Sequence, residues 1–388
     1  MTKADQVRKN LLGFANGLPT IVLDAGNALV KAYLDIPEGD TRFVSFAHGL
    51  IEIDKGTYER LRYYALEATH LLSFFDENTR LFRFFVVGDE AFGINPSFDP
   101  LRGRAKYQRD YYGILFCRVL LDLFGHDLPE KINVLLAHPP GDLAYIESLK
   151  NSVGGKWWFE SGGTQYRTTV VYANVFDEVV GGVFNATTDS YGNTLKTAGI
   201  IGDGPTIGFD WGGGTLDLVR LNRNGSVDYT KPMRSERIGI NRAVLTFKSA
   251  FDSQYSGLLA NDENGIPRAK ILGIFMDPHH CTRMYGETLD CKDLYNQAMN
   301  QLLREAYQAV LQFTGGLADY NRVLLTGGAS ALAVEEIKEH IFPNHAKNNV
   351  IHLADERDQL FKANAKGGTK ILEGLRIQGQ LAARNYHG

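Results

Sequence analysis

A chain of 388 residues, 44% of them hydrophobic, carries enough apolar side chains for two packed cores, which excludes a disordered polymer and a small disulfide-stapled domain. Its formal net charge of −4, with lysine and arginine scattered rather than massed, leaves no electrostatic footprint for direct nucleic-acid binding. The three cysteines, Cys117, Cys281 and Cys291, are too few and too dispersed for a disulfide framework, as suits a reducing compartment.

Taken in chain order, the opening MTKADQVRKNLLGFANG lacks an apolar stretch of signal-peptide length. No later stretch approaches the ~20 apolar residues of a membrane span. The expectation is a cytoplasmic protein with no membrane partner. Residues 20–34, TIVLDAGNALVKAYL, read as a strand, an Asp-x-Gly turn and a returning strand; 42–53 again alternates as strand. FRFFVVGDEAFG at 82–93 is a strand ending in a turn, and 107–124 carries apolar residues at helical spacing. INVLLAHPP at 132–140 is a buried strand stopped by proline, and 168–189 is a strand feeding a helix.

After a link GDGP at 202–205, the segment GFDWGGGTLDLV at 208–219 runs an apolar strand into an aspartate and three glycines, then returns as a strand. A helix is expected over 237–251 and a long one over 294–313. NRVLLTGGAS at 321–330 is a strand with a glycine pair at its tip, and FKANAKGGTKILEGL at 361–375 opens a closing helix. His279, His280, Cys281 and Cys291 fit no zinc spacing and read as loop residues.

Asp24 and Gly26 have the same offset as Asp210 and Gly212, almost half a chain apart, which makes an internal repeat on the scale of a domain. Strands alternating with helices in both halves predict an α/β protein of two related domains with a ligand in the cleft between them. The first domain is expected over 1–204, with a small outer part near 42–105. The second is expected over 205–388, with an outer part near 240–300. No G-x-x-x-x-G-K-[ST] is present and no G-x-G-x-x-G opens a helix, which argues against P-loop and dinucleotide folds. Backbone amides of a glycine hairpin turn can hold phosphate instead. Aspartates at such tips suit Mg²⁺, which takes oxygen ligands from one or two carboxylates plus phosphates. Asp24 and Asp210 are the candidate metal ligands, and Lys31 on the first return strand is a candidate point charge for phosphate.

These stretches carry a resemblance. LDAGNALVKAYL is similar to the first phosphate motif of the actin/Hsp70/sugar-kinase superfamily, IGFDWGGGTLDLV to the second, VLLTGGAS to the adenosine motif and FKANAKGGTKIL to the connecting helix. FVVGDEAFG, SERIGINRAVLTF and FKANAKG resemble the actin-like ATPases of the ParM/StbA plasmid-segregation and archaeal group. The resemblance implies an actin-like ATPase fold, two ribonuclease H-like domains around a nucleotide cleft. It implies ATP (or GTP) with Mg²⁺ as ligands.

Carried over by position, Gly26 and Asn27 contact the phosphates from one hairpin, and Gly212, Gly213, Gly214 and Thr215 from the other. Asp217 supports the metal side. Gly327, Gly328 and Ser330 lie along the adenosine, and Glu178, or its neighbour Asp177, orients the attacking water. The implied activity is ATP hydrolysis coupled to head-to-tail self-assembly into a filament. Its expected use is the segregation of plasmid or other DNA through a DNA-binding adaptor protein. A small-molecule kinase or a non-polymerising ATP-binding scaffold on the same fold stands as the alternative.

Overall fold

The computed structural model describes residues 13–36, 41–63, 70–76, 80–95, 105–189, 193, 195, 204–259 and 265–387, with side chains as far as residue 380. The chain divides into two compact units, the first from Met1–Asn95, Asp99–Leu195 and Asn364–Gly388, the second from Pro96–Phe98 and Lys196–Ala363. Part of the expected link at 202–205 lies outside the described residues. Among the described residues, no helix is long and apolar enough to cross a membrane.

The first unit is built on strands β1 (Thr20–Ala25), β2 (Leu29–Asp35), β3 (Arg42–Ala47), β4 (Leu50–Ile53), β5 (Leu71–Asp76), β6 (Leu81–Val87), β7 (Lys131–His138), β8 (Gly155–Ser161) and β9 (Thr164–Asp177). They form one mixed sheet in the order β3-β2-β1-β7-β9-β8-β5-β6-β4. Strands β1, β7 and β9 run parallel, with β2 and β3 antiparallel beside them. Strand β1 is buried along its whole length and β7 at all but its first residue, as expected of central strands covered on both faces. Strand β2 alternates between buried and half-buried positions, the pattern of a strand nearer the edge. Pro139 and Pro140 end β7 because neither can donate to a ladder. The helix expected over 107–124 begins at Tyr112 and is buried almost all round, so it is a core helix rather than a surface one. Helix Glu178–Thr187 follows β9 without a break.

The second unit repeats the plan with β10 (Thr206–Trp211), β11 (Leu216–Leu221), β12 (Arg234–Glu236), a separate hairpin of β13 (Cys281–Met284) and β14 (Glu287–Asp290), then β15 (Arg322–Thr326) and β16 (Ile351–Leu353). Its main sheet has the order β12-β11-β10-β15-β16, and each neighbouring pair has the same sense as its counterpart in β3-β2-β1-β7-β9. The sequence repeat is thus a repeat of topology. Helices Ile240–Gln254 and Lys292–Thr314 cover the sheet, packing Phe247, Phe251, Tyr295 and Leu302 against Phe209, Trp211 and Leu218. Of the cysteines expected in loops, Cys291 lies outside any helix or strand and Cys281 does not. Cys281 opens β13, and Cys291 is fully buried in this core just before helix Lys292–Thr314, its thiol pushed up to about 11 by burial.

The largest departure from the expected domains is at the C-terminus. Helix Ala363–His387, expected in the second domain, belongs to the first unit from Asn364 onward. Gly367 and Gly181 explain the placement, since a Cβ on Gly367 would collide with the Gly181 carbonyl and one on Gly181 with the Asn364 carbonyl. Without those side chains, the closing helix lies directly on helix Glu178–Thr187. Leu372 then joins Phe14, Val22, Leu135 and Phe176 in one cluster. Lys370 Nζ donates to the carbonyls of Asn185 and Thr188 at 2.6 and 2.5 Å, which satisfies acceptors left over at the end of the shorter helix.

Candidate functional site

The first hairpin places its polar residues by register. Asp24 on β1 stands opposite Lys31 on β2, and Lys31 Nζ donates to Asp24 Oδ2 at 2.6 Å. Asp24 is 1% and Lys31 11% exposed at the side chain, so this is a buried ion pair. Lys31, expected to meet phosphate as a point charge, is therefore already tied to Asp24. The other carboxylate oxygen, Asp24 Oδ1, is buried and has no hydrogen-bond partner among the described residues. Gly26 and Asn27 form the turn between the strands. The turn is held from outside, where the buried ring of His48 meets the Gly26 carbonyl at 2.5 Å through Nδ1 and the Tyr111 hydroxyl at 3.1 Å through Nε2. A carbonyl only accepts, so Nδ1 carries a proton, and in the neutral ring Nε2 accepts from Tyr111.

Two further groups stand near this turn. Lys106, 4% exposed, donates from Nζ to Asn27 Oδ1 at 3.4 Å. Burial lowers the pKa of its ammonium, while Glu178, Asp142 and Asp24, in that order, pull it back up. Its neighbour Tyr107 donates its hydroxyl to Asp142 Oδ2 at 2.5 Å. The second group lies where the parallel strands β7 and β9 end together. His138 and Asp177 are in register there, with Nε2 and Oδ1 3.2 Å apart. Burial raises the Asp177 carboxyl above the usual range and His138 draws it back. Asp177 and Glu178, alternatives in the sequence, thus part company: Asp177 ends β9 facing His138, and Glu178 starts the helix as the leading charge on Lys106.

In the second unit, Asp210 on β10 stands opposite Asp217 on β11. They are 3% and 1% exposed, and Asp217 Oδ2 accepts from the Thr215 hydroxyl at 2.9 Å. The glycine turn between them is anchored by the start of helix Ile240–Gln254. The amides of Gly239, Ile240 and Asn241 donate to the carbonyls of Gly214, Gly212 and Gly213 at 3.2, 3.2 and 2.9 Å. Because C=O and N–H point in opposite directions across a trans peptide, these bonds turn the amides of Gly213, Gly214 and Thr215 away from the helix. A row of outward amides is an anion-binding concavity. Gly239 makes the approach possible, since a Cβ there would strike the Gly213 carbonyl.

Gly327, at the tip of β15, has φ +88°, and a Cβ on it would strike Asp210 Oδ1. Register explains the proximity, as Thr326 pairs with Asp210. Asp210, Gly212 to Thr215 and Gly327 are therefore one local cluster. Gly328 starts the short helix Gly328–Leu332 beside Phe361. Ser330, on the same short helix, is fully buried with its Oγ lacking a hydrogen-bond partner among the described residues.

Lys106, His48, His138 and Gly239 were missed as site residues in the sequence. Gly239 lies in a segment that resembled the ParM group, and a histidine at the end of a buried strand marked His138. Lys106 and His48 sit in stretches without a motif, and only the folded chain brings them to Asn27 and Gly26.

No protein-family model matches the chain, and comparison with curated proteins finds no match. Comparison with solved structures does. The actin-like protein Alp7A is 14% identical with a TM-score of 0.71, over 95% of this chain and 99% of that one. A ParM subunit from a 15-stranded filament of Clostridium botulinum is 16% identical with a TM-score of 0.68, over 92% of this chain and 99% of that one. The fold is actin-like. An archaeal actin homolog solved in complex with ADP agrees, 15% identical with a TM-score of 0.64, over 92% of this chain and 100% of that one. In an actin-like fold, the repeated β3-β2-β1-β7-β9 and β12-β11-β10-β15-β16 sheets are the two related halves expected from the sequence repeat.

Proposed function

We propose that the chain is a filament-forming actin-like ATPase that binds and hydrolyses Mg²⁺-ATP and serves to segregate plasmid or other DNA through an adaptor protein. The observation that carries the reading is the glycine turn at 212–215, whose carbonyls are tied to a helix start, which turns its amides away from that helix. The similar archaeal homolog was solved in complex with ADP and the similar ParM in a filament, which supports nucleotide binding and self-assembly. The fold alone does not fix the function, so the reading rests on the site.

In this reading, Gly26 and Asn27 of the first hairpin and Gly212, Gly213, Gly214 and Thr215 of the second bind the phosphates. Gly327 and Gly328 let adenosine approach the backbone, with Ser330 beside them. Asp210, buried opposite Asp217, supplies the all-oxygen setting that Mg²⁺ prefers, and Asp24 Oδ1 is a further acceptor. The donor set fits the ion. Bound there, Mg²⁺ neutralises phosphate charge. Glu178 orients the attacking water, since Asp177 is engaged with His138. Phosphoryl transfer needs mainly positioning and charge stabilisation, which these groups supply.

Right-angle light scattering after addition of Mg²⁺-ATP, with phosphate release followed in the same sample, tests the reading. A rise in scattering that decays as phosphate appears is the expected result. No rise at tens of micromolar protein would replace it by a kinase or scaffold reading.

A further inference from the structure

Lys106 is a buried cation whose donors the described residues do not fill. An ammonium has three N–H donors. Among the described residues, it makes one hydrogen bond, the 3.4 Å contact with Asn27 Oδ1, and its Nζ stands 5.5 Å from the Tyr107 ring centroid. At 4% exposure, water does not make up the difference. Burying an ammonium without partners is costly, and such groups are ordinarily paired with an anion. The carboxylates around it do not hydrogen-bond to it. Asp24 Oδ2 accepts from Lys31, Asp142 Oδ2 accepts from Tyr107, and Glu178 acts on Lys106 as a charge.

The position says which anion is missing. Asn27 lies on the turn read above as phosphate-binding, and Glu178 is the residue read as orienting the water that attacks the terminal phosphorus. A cation in contact with the first and under the field of the second stands where the end of a triphosphate chain belongs. Lys31, on the first hairpin, already forms a buried ion pair with Asp24.

We propose that Lys106 is a ligand of the terminal phosphate of a bound nucleoside triphosphate, so that it distinguishes the triphosphate from the diphosphate. The inference rests on the nucleotide-binding reading above. It makes Lys106 a point-charge donor that binding completes.

The test compares the full chain with its Lys106→Met and Lys106→Arg variants, measuring by calorimetry the Kd for ADP and for a non-hydrolysable ATP analogue, each with Mg²⁺. Loss of one charge-assisted contact is expected to weaken the ATP analogue by about 10- to 100-fold in Lys106→Met. ADP affinity should change by less than about threefold, and Lys106→Arg should recover part of the loss. Equal weakening of both nucleotides, or of neither, overturns the inference and leaves nucleotide binding standing. Failure of the unaltered chain to bind either nucleotide overturns both. Thermal unfolding without nucleotide supplies the control. Removing a buried, under-satisfied charge should leave the midpoint of Lys106→Met unchanged or raised. A clear fall, or a variant that does not fold, would make Lys106 a structural residue and overturn the inference.

Discussion

The two hairpins have the same offset between aspartate and glycine and equivalent neighbours in their sheets, yet they differ at the rung that holds the aspartate. Asp24 faces Lys31 in the first, and Asp210 faces Asp217 in the second. Side chains directly opposite on an antiparallel pair lie about 5 Å apart, close enough for opposite charges to stabilise and like charges to repel. The first hairpin therefore carries its own cation, whereas the second sets acid against acid. In the proposed reading, this assigns an incoming cation chiefly to Asp210, while Asp24 serves to hold Lys31.

The contrast breaks most visibly on removal of the acids. Asp24→Ala leaves Lys31 buried without its carboxylate and should cost about 3 kcal/mol in denaturant unfolding, whereas Asp210→Ala should cost no more than about 1 kcal/mol. Equal losses would show that the facing residue does not matter. Next in size is the assignment at the start of helix Glu178–Thr187. Glu178→Gln should slow phosphate release by about 100-fold or more with ATP affinity largely kept, and Asp177→Asn by only a few-fold, in single-turnover assays. The reverse order would move the water to Asp177.

Glycines sharpen the comparison further. Gly239→Ala, which drives a Cβ into the Gly213 carbonyl, should cost about 2 kcal/mol or more. Gly26→Ala should cost less than about 1 kcal/mol, because its Cβ would meet nothing nearer than 3.4 Å. Similar unfolding midpoints for the two would refute the close approach. The smallest effect expected is on metal dependence. Asp210→Asn should raise the Mg²⁺ concentration needed for half-maximal ATP binding by about tenfold, and Lys31→Met should leave it within about threefold. A larger shift from Lys31→Met would place the ion at the first hairpin.

Much of this was legible from local pattern. The strands β1, β7, β10 and β15 announce themselves as continuous apolar runs, and the glycine-aspartate turns show at a fixed offset because hairpin geometry is set within a few residues. The start of helix Tyr112–Phe124 was placed five residues early, because the aromatic residues of YQRDYY continue the apolar spacing through what is a turn. The C-terminal helix was assigned to the wrong half for a different reason. Nothing within ANAKGG says that Gly367 meets Gly181, some 180 residues earlier.

The sequence by itself determined the two-fold repeat, the hairpins and the residues at their tips, since each depends on short-range propensity and on the period of apolar residues. Only the tertiary structure decided that Lys106 reaches Asn27, that His48 holds Gly26, that Asp177 belongs to His138 and that the last helix returns to the first unit. Those pairings join segments about 20 to 190 residues apart. They follow from strand order and from which side chains are small enough to let backbones meet, and a linear pattern carries neither.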